Sequence, residues 1–188
     1  MLQLLALLAF LSVVFAPVGK AADKSASKPE AAAPVARERA IMGWLESIYL
    51  KPWNKRLTAK LDTGAKTSSL HAGKVERFSK AGESWVRFTL DDLEDADSDP
   101  IMVERPLVRT AYIKSHQREV SKRDVVLLTI CKNGNDYPVE FNLVDRSKFN
   151  YLVLLGRSLL KDLALVDASA TFLFKAEKDP CIAPKVDR

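Results

Sequence analysis

The stretch Lys60-Leu61-Asp62-Thr63-Gly64-Ala65-Lys66-Thr67-Ser68-Ser69-Leu70-His71-Ala72 sets an acid on a glycine turn at the end of an alternating run. Upstream, Leu57, Ala59 and Leu61 alternate with Arg56, Thr58 and Lys60, the period-two pattern of a strand with one buried face. The strand runs straight into Asp62, and Gly64 lets the backbone fold tightly beneath the carboxylate. An Asp in such a turn commonly hydrogen-bonds backbone, so Asp62 is either a turn residue or the carboxylate of a reactive site. Ordinary residue usage yields an Asp-Thr-Gly by chance in roughly 3% of chains this long, so the surroundings must decide between the two.

Those surroundings read as strands. "KVERF" (74–78) and "WVRFTL" (85–90), separated by "SKAGES", form a hairpin signal. "PLVRTAYIK" (106–114) alternates again, with Leu107, Ala111 and Ile113 on one side. "DVVLLTI" (124–130) is nearly continuous in apolar residues and predicts a strand buried on both faces. Asn133-Gly134 supplies a tight turn into "YPVEFNLV" (137–144), where Val139, Phe141 and Leu143 share a face. "YLVLLG" (151–156) is one more short buried strand, "RSLLKDL" (157–163) alone has helical spacing, and "ALVDASATFLF" (164–174) closes the domain as strand. Many short strands, little helix and no βαβ rhythm predict a closed or sandwiched all-β domain.

The amino end divides from this body by composition. "MLQLLALLAFLSVVFAPVGKAADK" is apolar with no charge before Lys20, and Gly19-Lys20-Ala21 offers small residues for a signal peptidase, so export is expected, with cleavage near Ala21 or Ala22. The usual cation ahead of the apolar run is absent, and Leu2 to Val18 sits at the lower limit of a membrane span, so an uncleaved anchor is the alternative. Residues 1–21 are thus read as signal peptide or anchor, 22–40 as a flexible tether rich in Ala, Pro, Ser and charge, 41–175 as the folded domain and 176–188 as a tail. The expected location is the periplasm, with or without a tether to the inner membrane. Cys131 and Cys181 suit an oxidising compartment without demanding a bridge, and free buried thiols are the favoured reading. The net charge of +5 is dispersed, with no basic helix or aromatic-interleaved patch, which argues against a nucleic-acid partner.

Several chemistries fall away for want of the residues they need. His71 and His116 are the two histidines, and they come with neither His-Glu-x-x-His nor paired cysteine spacing, so no metal is expected. There is no Gly-x-Ser-x-Gly elbow, no phosphate-binding glycine loop and no suggestive motif around either cysteine, and no cofactor is expected. Asp95, Asp97 and Asp99 alternate as in a calcium loop, but Pro100 and Pro106 stand where its Gly and final Glu belong, so a solvated loop is the reading there.

What remains is Asp-Thr-Gly-Ala, followed about ninety residues later by Leu154-Leu155-Gly156-Arg157 after a hairpin. "LDTGA", then "VVLLTICKNGNDYPVEFNLV", then "LLGRSLLKDL" resembles the motif order of a retropepsin-type aspartic protease monomer. The wider frame from Gly43 to Phe174 is similar to a bacterial retropepsin-like family, also labelled ATP-dependent zinc protease, although no ATP or zinc motif is present. The resemblance implies a closed retropepsin-like β-barrel with one short helix after Leu-Leu-Gly-Arg. It also implies an aspartic endopeptidase in which Asp62 shares a proton with a second carboxylate, since two like charges that close cannot both ionise. One Asp-Thr-Gly supplies one acid, so the second would come from a homodimer. By the same resemblance Thr63 and Gly64 complete the catalytic turn, Ala65 and Lys66 meet a peptide or protein substrate, and Leu154, Leu155, Gly156 and Arg157 support the turn from behind. Relatives carry an acid at the position of Lys66, to pair with the arginine; here Asp145 or Asp162 is expected to replace it. The substrate-covering flap is expected between "WVRFTL" and "PLVRTAYIK". His71 belongs to the bacterial pattern and is expected to order the loop after the motif by hydrogen bonds rather than to ligate metal. The competing reading keeps the barrel as a peptide- or envelope-protein-binding module with Asp62 idle.

Overall fold

The computed structural model describes residues 39–91, 99–114, 120–173 and Cys181. The leader, the tether up to residue 38, His116, Asp95 and Asp97 lie outside the described residues, whereas Ala40, expected in the tether, opens the first strand.

The chain forms β1 (Ala40–Gly43), β2 (Leu45–Lys51), β3 (Lys55–Asp62), β4 (Ser68–His71), β5 (Gly73–Lys80), β6 (Glu83–Leu90) and β7 (Ile101–Pro106). Then follow β8 (Arg109–Lys114), β9 (Val120–Lys132), β10 (Asn135–Val144), β11 (Val153–Gly156), α1 (Arg157–Leu163) and β12 (Ala164–Asp167). The largest sheet runs β10-β4-β11-β3-β2-β9-β8, and β9 also pairs with β10, so six of its strands close into a ring. The all-β barrel with one short helix is therefore the observed architecture. β11 lies between β3 and β4, parallel to β3, with Leu155 opposite Leu61 and Gly156 opposite Asp62. That crossover brings two segments far apart in sequence together at the Asp62 turn.

The alternation expected of β3 holds, with Ala59 and Leu61 buried. Val139, Phe141 and Leu143 of β10 point into the same core as Val126, Leu128 and Ile130 of β9. β5, β6 and β7 make a separate antiparallel sheet whose Val86, Phe88 and Val103 pack against that core. Ala81-Gly82 and Asn133-Gly134 turn their hairpins with positive φ at both residues, as a two-residue turn requires.

Three expectations are corrected. "DVVLLTI" is not buried on both faces: Leu127 is 49% exposed, because a barrel wall offers one face to the core and the other to water. The closing strand stops at Asp167, whose Oδ1 accepts from the Ser169 amide and hydroxyl and turns the chain away. The cysteines are not free thiols: Cys131 and Cys181 form a disulfide that fixes Cys181 against the β9–β10 hairpin. There the Gly134 amide contacts the Cys181 sulfur, and the Lys51 ammonium donates to the Cys181 carbonyl.

One buried ion pair ties the architecture together. Glu46, fully inside, accepts from the amides of Gly43 and Leu173 through one oxygen and from the Lys132 ammonium, 2.8 Å away, through the other. Both carboxylate oxygens are thereby satisfied, which is what permits a charge at that depth.

Candidate active site

The two carboxylate oxygens of Asp62 have different surroundings. Its Oδ1 accepts from the amides of Gly64, at 2.9 Å, and Ala65, at 3.2 Å, closing the turn as a side-chain cap. Its Oδ2 takes no part in that cap and has the Lys60 ammonium 3.7 Å away, with about a quarter of the side chain exposed. One oxygen builds the turn and the other is presented. Thr63 and Gly64 sit exposed at the tip, Ala65 is half-buried and Lys66 is exposed. A cleft of about 510 Å³ borders Lys66 and Thr67 and continues past Tyr137, Glu140 and Asp162.

The support behind the turn is assembled from the second motif. A Cβ on Gly156 would lie 2.6 Å from the backbone carbon and oxygen of Thr67, so only glycine lets β11 approach this closely. The Gly156 amide donates to the Ser68 hydroxyl. Helix α1 starts at once, and its first free amides, those of Arg157 and Ser158, donate to the carbonyls of Ala65 and Lys66. Leu154 and Leu155 carry this support, Leu155 from inside the core.

Arg157 is used differently from the expectation. Its Nη1 donates to the carbonyls of Thr63, at 2.9 Å, and Gly64, at 2.8 Å, clamping the tip of the turn directly. Neither proposed replacement acid reaches it. Asp145 accepts from the Ser147 amide, which holds its carboxyl below the usual range, and Asp162 lies beside Lys161. With Lys66 in place of an acid, carbonyl oxygens serve as the acceptors for the guanidinium.

Sequence reasoning missed Asn142. This buried amide donates to the Ser68 carbonyl and the Thr67 hydroxyl, and its oxygen accepts from Ser69 and Arg123. It fastens the segment after the turn to β10, and the one available signal was an amide set between Phe141 and Leu143. Arg146 was missed too. Its Nε donates to the Tyr151 carbonyl and its guanidinium stacks on Phe149; burial pushes its pKa down, Arg123 adds to that, and Asp62 opposes it.

His71 stands at the opposite end of β4 from the turn and is not brought to Asp62. It is buried, and its Nδ1 accepts from the Arg146 amide at 2.8 Å, which fits the ordering role. Among the described residues no cluster of three His, Cys, Asp or Glu side chains could hold a metal ion.

Residues 41–177 match the model of the RimB-like family, described as retropepsin-like aspartic endopeptidase RimB. A Legionella pneumophila protein of unknown function, solved by structural genomics, is similar at 35% identity with a TM-score of 0.63, over 72% of this chain and 98% of that one. Curated relatives named probable alpha-L-glutamate ligase match from Shewanella halifaxensis at 33% identity and Shewanella pealeana at 35%, each over 65% of this chain. The chain spans about a quarter of the length of these relatives, 27% in both cases.

Proposed function

The chain belongs to the RimB-like family of retropepsin-like aspartic endopeptidases, and from that premise we propose that it hydrolyses peptide bonds with a water held between Asp62 and the same residue of a second copy. The observation that carries this reading is the division of labour within the carboxylate: Oδ1 is committed to two backbone amides while Oδ2 is left for a proton or a water. In the assembled pair, one carboxylate takes a proton from the water as it attacks the peptide carbonyl. The other donates a proton to the developing oxyanion; the first then passes its proton to the leaving amine as the C–N bond breaks, while the second takes a proton back from the gem-diol, and no covalent intermediate forms. Arg157 and the α1 amides keep the turn from yielding when substrate binds.

A second copy is needed because the described chain brings one Asp-Thr-Gly turn. The pair Ile41 and Leu165, opposite each other in β1 and β12 and each more than half exposed, offers an apolar patch for such an assembly. Export to the periplasm is part of the reading. It rests on the apolar leader and is supported by the Cys131–Cys181 bridge, which persists in oxidising compartments. The ligase names of relatives containing a segment similar to this domain favour glutamate-containing peptides as the first substrates to try.

The decisive variant is Asp62→Asn. An amide keeps an oxygen for the Gly64 and Ala65 amides, so folding should survive, but it cannot act as general base, and cleavage should fall by about 10²-fold or more. A peptide-library digest of the purified protein and variant, with circular dichroism as the folding control, reads the outcome. Equal cleavage by both proteins would rule the mechanism out. Peptide binding without cleavage by the parent would favour the binding-module reading.

A further inference from the structure

His71 holds the sharpest unresolved feature among the described residues. Because Nδ1 accepts from the Arg146 amide, the ring is neutral with its proton on Nε2. That nitrogen is buried and has no hydrogen-bond partner. The Asp91 carboxylate lies in front of it, but Oδ2 is 3.7 Å away, beyond a direct hydrogen bond. A buried donor left without an acceptor is costly, and groups so placed usually have one. Beside the two groups is a cavity of about 10 Å³ bordered by His71, Asp91 and Lys55 and otherwise by leucines, from which one water could reach both Nε2 and Oδ2. That is room for one water, with enough polar partners to hold it.

The position of Asp91 is built rather than incidental. A Cβ on Gly73 would sit 2.6 Å from both Asp91 Oδ2 and Thr89 Oγ1, so the carboxylate reaches the histidine only because residue 73 has no side chain. The segments that meet here are the end of β4 at His71, the start of β5 at Gly73, the end of β6 at Asp91 and the loop after β10 at Arg146. β4 in turn runs back to Ser68, whose hydroxyl receives the Gly156 amide beside the Asp62 turn. A metal fits poorly: the cavity is otherwise lined by leucines, and Asp145, 3.7 Å from Nδ1, faces a nitrogen already engaged by Arg146.

We propose that His71 is a positioning residue which, through one buried water shared with Asp91, fastens the root of the β5–β6–β7 sheet to the barrel strand that floors the Asp62 turn. The consequence for catalysis rests on the endopeptidase reading above: Lys66 and Thr67, which border the cleft, lead directly into β4, so loosening the far end of that strand should weaken substrate holding more than the chemical step.

The test uses the full chain, four single variants and one double variant. Asp91→Ala and Gly73→Ala remove or displace the carboxylate; His71→Asn keeps an acceptor near Nδ1 but loses the far donor; His71→Gln restores a donor near Nε2. Native-state hydrogen exchange should rise about 10-fold at Phe88 and Leu90 in Asp91→Ala, Gly73→Ala and His71→Asn, and stay unchanged at Leu61 and Leu155, since only local opening is released. Asp91→Ala combined with His71→Asn should add nothing to either alone, and His71→Gln should restore most of the protection. Nitrogen NMR of the imidazole should report the proton on Nε2, with an exchange peak to a long-lived water. Cleavage should show KM raised several-fold with kcat retained. Additive effects, an exchange increase spread evenly over the barrel, a proton on Nδ1, or kcat lost with KM unchanged would each overturn the proposal. If the parent protein cleaves nothing, the endopeptidase reading fails, while exchange and NMR still decide the latch.

Discussion

Under the proposed mechanism Asp62 serves both as turn cap and as reactive acid, one role to each oxygen. A carboxylate has lone pairs enough to cap a turn with one oxygen and leave the other for chemistry, which an alanine or serine at this place could not do. The turn depends just as much on a residue 94 positions later, since the Gly156 amide and its lack of a side chain set how close β11 comes to Thr67. Gly156→Ala would drive a methyl into backbone that cannot swing aside, so it should cost about 1–3 kcal/mol by denaturant unfolding. Because Arg157 and Ser158 hold the carbonyls of Ala65 and Lys66, the displaced helix start should also carry the turn with it. Cleavage should then drop by at least about 10-fold, as misplacement of about an ångström is enough to do this.

Among elements, the buried charge at Glu46 is the most exposed to mutation. It joins β2, the end of β1, the segment at Leu173 and the end of β9, and its neutralising partner is the Lys132 ammonium. Lys132→Met leaves the volume filled and the carboxylate unpaired, which should destabilise the fold by about 3–5 kcal/mol. Glu46→Gln in the same background should recover part of that loss, and thermal unfolding of the single and double variants measures both. The disulfide acts on a neighbouring element. It closes a loop of 50 residues between the β9–β10 hairpin and Cys181. Replacing both cysteines with serine should lower stability by about 2–4 kcal/mol, read as a shift in denaturation midpoint that vanishes when both proteins are studied under strong reductant.

At the scale of the whole molecule, the proposed mechanism draws one acid from each of two chains, so activity should depend on association. Specific activity is expected to fall on dilution in step with the dimer fraction measured by sedimentation, because a monomer lacks the second acid. Ile41→Lys, which places a charge on the exposed β1–β12 ribbon opposite Leu165, should shift the midpoint of that fall to higher protein concentration by about 10-fold without altering the monomer's unfolding. Full activity in a demonstrably monomeric sample would exclude a shared pair of acids.

The sequence alone determined what local chemistry dictates. Alternation specified β3 and β10, asparagine–glycine and alanine–glycine turns set the hairpins, helical spacing marked α1, and the two motifs marked the turn and its support. Where the pattern was weak, as in β4 with its buried Ser68, Ser69 and His71, strand formation depends on partners that sequence does not reveal: Asn142, Gly156 and Arg146 satisfy those polar groups from other segments. The acceptors of Arg157, the pairing of Cys131 with Cys181 and the seat of Asp91 beneath His71 were likewise decided by tertiary structure. The physical reason is common to all of them. Periodicity reports which face of a segment avoids water, whereas a hydrogen bond, a disulfide or a one-water cavity depends on ångström-scale distances between residues that only the closed barrel brings together.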